Sequence, residues 1–263
     1  MAFDNLEFHE KLGEGGYGTV KRVTFKQPYK GYTEAAAKFV RDMRKEEVEI
    51  MSKLSHPNIV TWLGFTNEPI SIIFLEIAKN GDLHSHLSDS SKPLPDTLKQ
   101  KWIQDSVLAL QYLHGQNFLH RDIKARNCLL FDPDTLKLCD FGLAREIDRS
   151  FTTSSTKGTY QYMAPEIHNT NVNNRAVYSK SSEIYALGML VQEIWTRKPP
   201  FHGLPYGQVI YQVGEGKLQP EIASDCPEDL ANMMKQCWDV NPRKRPSIDA
   251  IYEGKYKYPD NRQ

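Results

Sequence analysis

Neither sign of charge is in excess in this chain: 33 Lys and Arg stand against 33 Asp and Glu, a formal net charge of +0. A balanced chain has no overall field to attract nucleic acid or an anionic membrane, so nucleic acid is not expected as a partner, although charge does not identify one. Cysteine is scarce. Cys128, Cys139, Cys226 and Cys237 form no C-x-x-C pair and fit no common zinc spacing. Two of them, Cys128 and Cys139, lie in apolar runs, where a free buried thiol is the usual occupant. With no Asn-x-Ser/Thr sequon either, a reducing compartment is expected, cytoplasmic or also nuclear. No apolar run reaches the length of a membrane span, and the first twenty residues lack a signal-peptide core. Ala2 rather than Gly follows Met1, which argues against myristoylation. No internal repeat is found. What is left is an ordinary globular chain of 263 residues, long enough for one large domain or two packed lobes.

Between His120 and Arg145, residues able to carry chemistry lie close together. Asp122, Lys124, Asn127 and Asp140 fall in this one segment, between the apolar runs Cys128–Leu130 and Leu136–Cys139. An acid, a cation and an amide held together can orient a hydroxyl nucleophile and hold a metal-bound phosphate. A polar loop between two strands is the plainer alternative, so the flanking sequence has to decide.

Upstream, residues 7–25 read as strand, turn, strand, with a G-x-G-x-x-G-x-V pattern at Gly13, Gly15, Gly18 and Val20. Such a turn can lay backbone N–H groups over a phosphate chain, although a glycine-rich hairpin can also be only a hairpin. The β-branched residues after Gly18 predict a strand where a dinucleotide fold would need a helix. Lys38 is the one lysine within the apolar run from Ala35 to Val40 and needs an anionic partner if half buried. A helix is predicted over residues 44–54, carrying Glu47 back towards Lys38, and His56–Val60 should stop it at Pro57 and begin another strand. A buried strand is expected over residues 70–77, then turn chemistry at 79–82.

After that turn the patterns become helical. Ile103, Val107, Leu110 and Leu113 mark one stripe, and three more stripes follow near residues 184–194, 205–213 and 230–237. Between them lies a hydroxyl-rich run, Ser150 to Thr156, whose composition predicts a loop.

The ordered set of motifs resembles the eukaryotic protein kinase catalytic domain from about Phe8 to about Ile251. It comprises the glycine loop, the strand lysine, the helix glutamate, His120-Arg121-Asp122, Asp140-Phe141-Gly142, Ala164-Pro165-Glu166 and the late Arg245. The resemblance implies an α+β, bilobal fold: a small β-rich N-lobe with one main helix (about 1–75), a hinge (about 76–82) and a larger helical C-lobe (about 83–263), together a single domain. It implies ATP and Mg2+ as nucleotide and metal, a protein substrate, and an upstream activating kinase as a further partner. It says nothing of oligomeric state.

By the same resemblance, Gly13, Gly15 and Gly18 would cover the ATP phosphates, and Val20 and Ala36 would press on the adenine. Lys38 would hold the α- and β-phosphates and pair with Glu47. Leu75 would be the gatekeeper, the backbone from Glu76 to Ala78 the adenine hinge, and Leu129 the floor below the base. Asp122 would orient the substrate hydroxyl, Lys124 would neutralise the transferred group, and Asn127 and Asp140 would ligate magnesium. Arg121, next to Asp122, implies activation by phosphorylation within Thr152, Thr153, Ser154, Ser155 and Thr156.

Lys124 and Thr159 look like the Ser/Thr type, whereas Arg126-Asn127-Cys128 and Cys237-Trp238 look tyrosine-kinase-like. That mixture resembles the tyrosine kinase-like group, and the short spacing from Lys38 to Glu47 resembles its mixed-lineage members. Dual specificity is the alternative. A scaffold pseudokinase is disfavoured because Lys38, Asp122 and Asp140 are all present. Three departures stand out: Ala35-Ala36-Ala37 predicts a loosely packed strand, Glu183 replaces the usual Asp, and Trp62 stands where a smaller aliphatic usually joins Met51, His120 and Phe141.

Overall fold

The structure, a computed structural model, describes residues 3–15, 18–41, 45–131, 134–147, 152–153, 158–169 and 176–254. It opens with β1 (Leu6–Gly15), β2 (Gly18–Tyr29) and β3 (Tyr32–Phe39), then helix α1 (Lys45–Lys53), β4 (Trp62–Thr66) and β5 (Ile72–Leu75). These strands form one antiparallel sheet in the order β1-β2-β3-β5-β4. Alternation along the strands puts Val23, Phe25, Ala35, Ala37, Ile72 and Phe74 into one apolar cluster. The expected looseness of β3 is not seen. Ala35 and Ala37 are fully buried beside the large Phe25 and Phe74, and β3 is paired along both edges.

Two boundaries differ from the sequence expectation. His56–Val60 forms no regular strand. Asn58 Nδ2 donates to Leu136 O (2.9 Å), Leu138 N–H to Asn58 O (2.8 Å) and Val60 N–H to Leu138 O (3.0 Å), so this segment clips the end of α1 to the second lobe. The strand expected over 70–77 stops at Leu75, because Glu76 turns its carboxylate to the Thr61 N–H (2.7 Å) and the Lys137 ammonium (2.7 Å).

The second lobe contains α2 (Leu83–Ser88), α3 (Asp96–Gly115), β6 (Phe118–Leu119), β7 (Cys128–Leu130), β8 (Leu136–Leu138), β9 (Arg145–Glu146) and β10 (Thr152–Thr153). It continues with α4 (Pro165–His168), β11 (Ala176–Val177), α5 (Lys180–Thr196), α6 (Tyr206–Gly214), α7 (Glu228–Cys237) and α8 (Ile248–Glu253). The predicted stripe of α3 is buried as expected. At the centre is α5. It starts at a reciprocal cap in which Ser179 Oγ accepts from Ser182 N–H and Ser182 Oγ from Ser179 N–H. It is buried almost all round, as a helix without a polar face must be. Arg245, its side chain wholly buried, clamps Glu166 with two bonds of 2.7 Å and fixes α4 against the start of α5 through Ser181 O (3.0 Å).

Candidate active site

The segment after β6 is held from three sides. His120 Nε2 donates to Cys139 O (2.8 Å), which leaves its Nδ1 to accept from the Asp122 N–H (3.3 Å). Arg121 sits at φ 70°, a left-handed conformation that a non-glycine residue keeps only when its surroundings enforce it. Glu183 supplies part of that force. Its Oε1 accepts the Arg121 N–H at 2.6 Å, and its Oε2 lies 2.9 Å from His114 Nε2. The extra methylene relative to Asp is therefore used in reaching two buried donors at once.

Asp122 is buried and well bonded. Oδ2 accepts from Lys124 Nζ (2.6 Å) and Asn127 Nδ2 (3.0 Å), and Oδ1 accepts from Thr159 Oγ1 (3.1 Å). Lys124 also donates to Thr159 Oγ1 (2.9 Å), so carboxylate, cation and hydroxyl form a closed set. Sequence reasoning read Thr159 only as a marker of type; its bond to Asp122 is apparent only in three dimensions. The approach also requires Gly158. At its φ of +114°, a Cβ would come within 3.0 Å of the Arg121 carbonyl and 3.6 Å of Asp122 Oδ1.

Asn127 commits its Nδ2 to Asp122, to the carbonyl at 2.8 Å as well as to Oδ2, which frees its amide oxygen as a donor to a cation. Cys139 N–H bonds the Asn127 carbonyl (2.8 Å) and carries Asp140 alongside. Asp140, at φ 64°, takes the Lys38 ammonium on Oδ1 at 2.8 Å, and Lys38 also reaches Glu47 Oε1 at 3.4 Å. Burial of Lys38 disfavours its charge, but the Asp140 and Glu47 carboxylates outweigh that and raise its pKa above the ordinary value. Burial likewise works against the Asp140 carboxylate, and the Lys38 charge beside it reverses the sign, so its pKa is lowered. An ionised carboxylate and an amide oxygen are the hard donors that a small divalent cation prefers. Burial pushes the Cys128 and Cys139 thiols well up, which leaves no reactive thiol beside them.

The sheet supplies the roof. Val20 lies opposite Lys38, and Ala36 lies opposite Leu75. Gly15 pairs with Gly18 at the hairpin end, and Gly13 with Val20. Gly18 has a φ of +137°, and a Cβ there would stand 1.9 Å from the Phe39 carbonyl oxygen. Gly18→Ala is therefore expected to displace the hairpin and raise the KM for ATP about tenfold, the cost of roughly 1–3 kcal/mol of backbone strain. Titration of ATP dependence checks this, and an unchanged KM would count against the hairpin's role. Leu129 is set beneath by Asn80 N–H on Leu130 O (3.2 Å) and Leu130 N–H on Gly81 O (3.0 Å). Between roof and floor run Glu76 and Ala78, outside any strand.

The remaining expectations fare differently. Trp62 stacks on Phe65 (6.5 Å) and carries Lys30 over its face (5.2 Å), while His120 meets Phe141 edge-on at 5.0 Å. The Arg121 guanidinium lies over the Tyr178 ring at 4.3 Å and donates to Leu143 O (3.4 Å), a partnership the sequence did not disclose. Thr152 and Thr153 pair with Val177 and Ala176, whereas Ser154, Ser155 and Thr156 lie outside the described residues.

A family model described as protein tyrosine and serine/threonine kinase matches residues 6–254. Mitogen-activated protein kinase kinase kinase 13-B of Xenopus laevis is 32% identical over 252 residues, covering 95% of this chain and 25% of that protein. Mitogen-activated protein kinase kinase kinase 12 of Rattus norvegicus is also 32% identical, with 95% and 27% covered. Dual specificity protein kinase shkA of Dictyostelium discoideum is 34% identical over 255 residues, with 91% and 47% covered. The chain thus spans between about a quarter and about half of the length of these relatives.

Proposed function

Because this chain belongs to the protein tyrosine and serine/threonine kinase family, we propose that it transfers the γ-phosphoryl group of ATP to serine and threonine hydroxyls of protein substrates in intracellular signalling. The observation that carries this reading is the closed set of Asp122, Lys124 and Thr159. A hydroxyl brought to Asp122 meets a carboxylate already aligned by three donors, able to orient the nucleophile and take its proton. Lys124, 2.6 Å from that carboxylate, offsets negative charge as the group moves. Lys38 holds the α- and β-phosphates under the Gly13–Gly18 hairpin. Val20, Ala36, Leu75 and Leu129 enclose the adenine, which the backbone of Glu76 and Ala78 binds at its edge.

Asn127 and Asp140 would hold Mg2+; the freed amide oxygen and the carboxylate, whose pKa is lowered, fit it. The metal, when bound, neutralises phosphate charge.

The test is phosphoamino-acid analysis after incubation with labelled ATP, Mg2+ and a mixed peptide library. Label on serine and threonine supports the reading. Label on tyrosine as well would establish the dual specificity named for one relative, and an absence of label would favour a scaffold. No helix among the described residues is long and apolar enough to cross a membrane.

Regulation belongs to the same proposal. A phosphate within Thr152–Thr156 would add nearly two negative charges, with which an arginine such as Arg121 can pair. An upstream kinase would place it. Replacement of all five hydroxyl residues by Ala is expected to depress kcat strongly; full activity would rule this regulation out.

A further inference from the structure

Glu193, on α5, keeps only 1% of its side chain exposed. A carboxylate buried so deeply is costly unless its oxygens are paired. Two elements distant in sequence provide the partners. Tyr162 O–H donates to Oε2, and His84 Nδ1 lies 2.9 Å from Oε1. With Oε1 as the acceptor, Nδ1 carries the proton and donates. Burial and the adjacent Glu193 hold the Tyr162 phenol well above its ordinary pKa, so its hydroxyl remains a donor. His84 is itself fixed. It is the second residue of α2, whose first turn is capped by Asp82 Oδ1 accepting the Ser85 N–H (2.9 Å), and α2 packs on the turn Ala125–Asn127 of the catalytic segment.

Tyr162 closes the 3-10 turn Tyr160–Tyr162, which begins at the residue after Thr159. Its N–H donates to the Thr159 carbonyl (3.0 Å), and the Tyr160 ring meets Tyr206 edge-on at 4.7 Å. The turn is therefore gripped at both tyrosines, by α6 on one side and by α5 with α2 on the other. Thr159 touches the Asp122 carboxylate, so this turn borders the place to which a substrate chain would deliver its hydroxyl.

We propose that His84 is a positioning residue for the protein substrate: through Glu193 and Tyr162 it fixes the 160–162 turn and holds the Thr159 hydroxyl on Asp122. The inference rests on the reading of the chain as a kinase of proteins, and it extends the substrate site to α2. Removal of the imidazole should leave Glu193 with one bond fewer, so that the turn moves and the substrate surface with it. Nucleotide binding should be untouched, since His84, Glu193 and Tyr162 are not among the residues assigned to it.

The experiment compares His84→Ala with His84→Asn, whose amide N–H stands close to where Nδ1 donates. Amide hydrogen exchange over residues 158–163 and the separate KM values for protein substrate and ATP are measured on each. In His84→Ala, exchange in that segment should accelerate and the substrate KM should rise about tenfold, the loss of one charge-assisted hydrogen bond, with the ATP KM unchanged. His84→Asn should restore both. Unchanged exchange in His84→Ala, or equal impairment of the Ala and Asn variants, would overturn the proposal. If the unmodified protein transferred no phosphate to any protein, the functional reading would fail, while the exchange comparison would still decide the role of His84. Should His84→Ala not fold, Tyr162→Phe removes the other donor to Glu193 and is expected to give the same exchange signature; slow exchange there would equally overturn it.

Discussion

Lys38→Met is expected to lower kcat/KM for phosphotransfer about a hundredfold to a thousandfold, the range found when one preorganised charge-stabilising donor is removed from a site. The same change should destabilise the fold. Lys38 stands between two carboxylates, 2.8 Å from Asp140 and 3.4 Å from Glu47, with only 12% of its side chain exposed. Without the ammonium the two acids face each other uncompensated. Breaking a buried pair by removing one partner costs about 3–5 kcal/mol, and the lower end applies here because 23% of the Asp140 side chain remains exposed.

The pH dependence of that gap has a definite sign. The pKa of Asp140 is lowered in the folded protein. Its contribution is therefore present above the unfolded carboxylate value of about 3.9 and lost as pH falls through the folded value. For Lys38 the folded pKa is raised. Its contribution is complete below about 10.4 and lost as pH rises past the folded value. Denaturant unfolding of both proteins should show a gap that is flat from roughly pH 5 to pH 9 and narrows only as pH falls below about 3.9 or rises past about 10.4. A gap that widened on acidification would contradict the pairing.

Glu183→Asp, although it installs the residue usual in the family, is the second change expected to have a large effect. Shortening the side chain by one C–C bond withdraws the carboxylate by about 1.5 Å. It can then no longer reach both the Arg121 N–H, now 2.6 Å away, and His114 Nε2, now 2.9 Å away. Each buried donor left without an acceptor costs about 1–3 kcal/mol. Arg121 would also lose the anchor that holds it at φ 70°, and a displacement of about 1 Å at the next residue, Asp122, costs about a hundredfold in rate. Glu183→Gln keeps the reach and an acceptor oxygen for Arg121, so its loss should be clearly smaller. Urea unfolding and kcat on the two variants check this ordering. A Glu183→Asp variant as stable and active as the unchanged protein would show that the longer side chain is dispensable.

Much of the architecture was legible because it is local. The glycine turn, the helix carrying Glu47, the stripe at Ile103–Leu113 and the acids around Asp122 each follow from spacing within a few residues. Local spacing does not disclose long-range partners. Asn58 and Val60 have the composition of a strand, but their hydrogen bonds go to Leu136 and Leu138, nearly eighty residues later. Glu76 leaves its strand for Thr61 and Lys137. His84 and Glu193 are 109 residues apart, and no periodicity in either helix marks them as partners. In the sequence Glu183 is only a departure from the usual Asp; the second donor that its extra length reaches, His114, is 69 residues away. Alanines in β3 looked loose until Phe25 and Phe74 were found beside them in the same cluster.

The central claim is that the Asp122 carboxylate, aligned by Lys124, Asn127 and Thr159, orients the acceptor hydroxyl. Single-turnover transfer from labelled ATP to a serine- or threonine-containing protein, with Asp122→Asn beside the unchanged chain, addresses it most directly. The account predicts a loss of about 10²–10⁴-fold in the transfer step, the usual contribution of a positioned general base, with ATP binding retained. Equal transfer rates from the two proteins would contradict it.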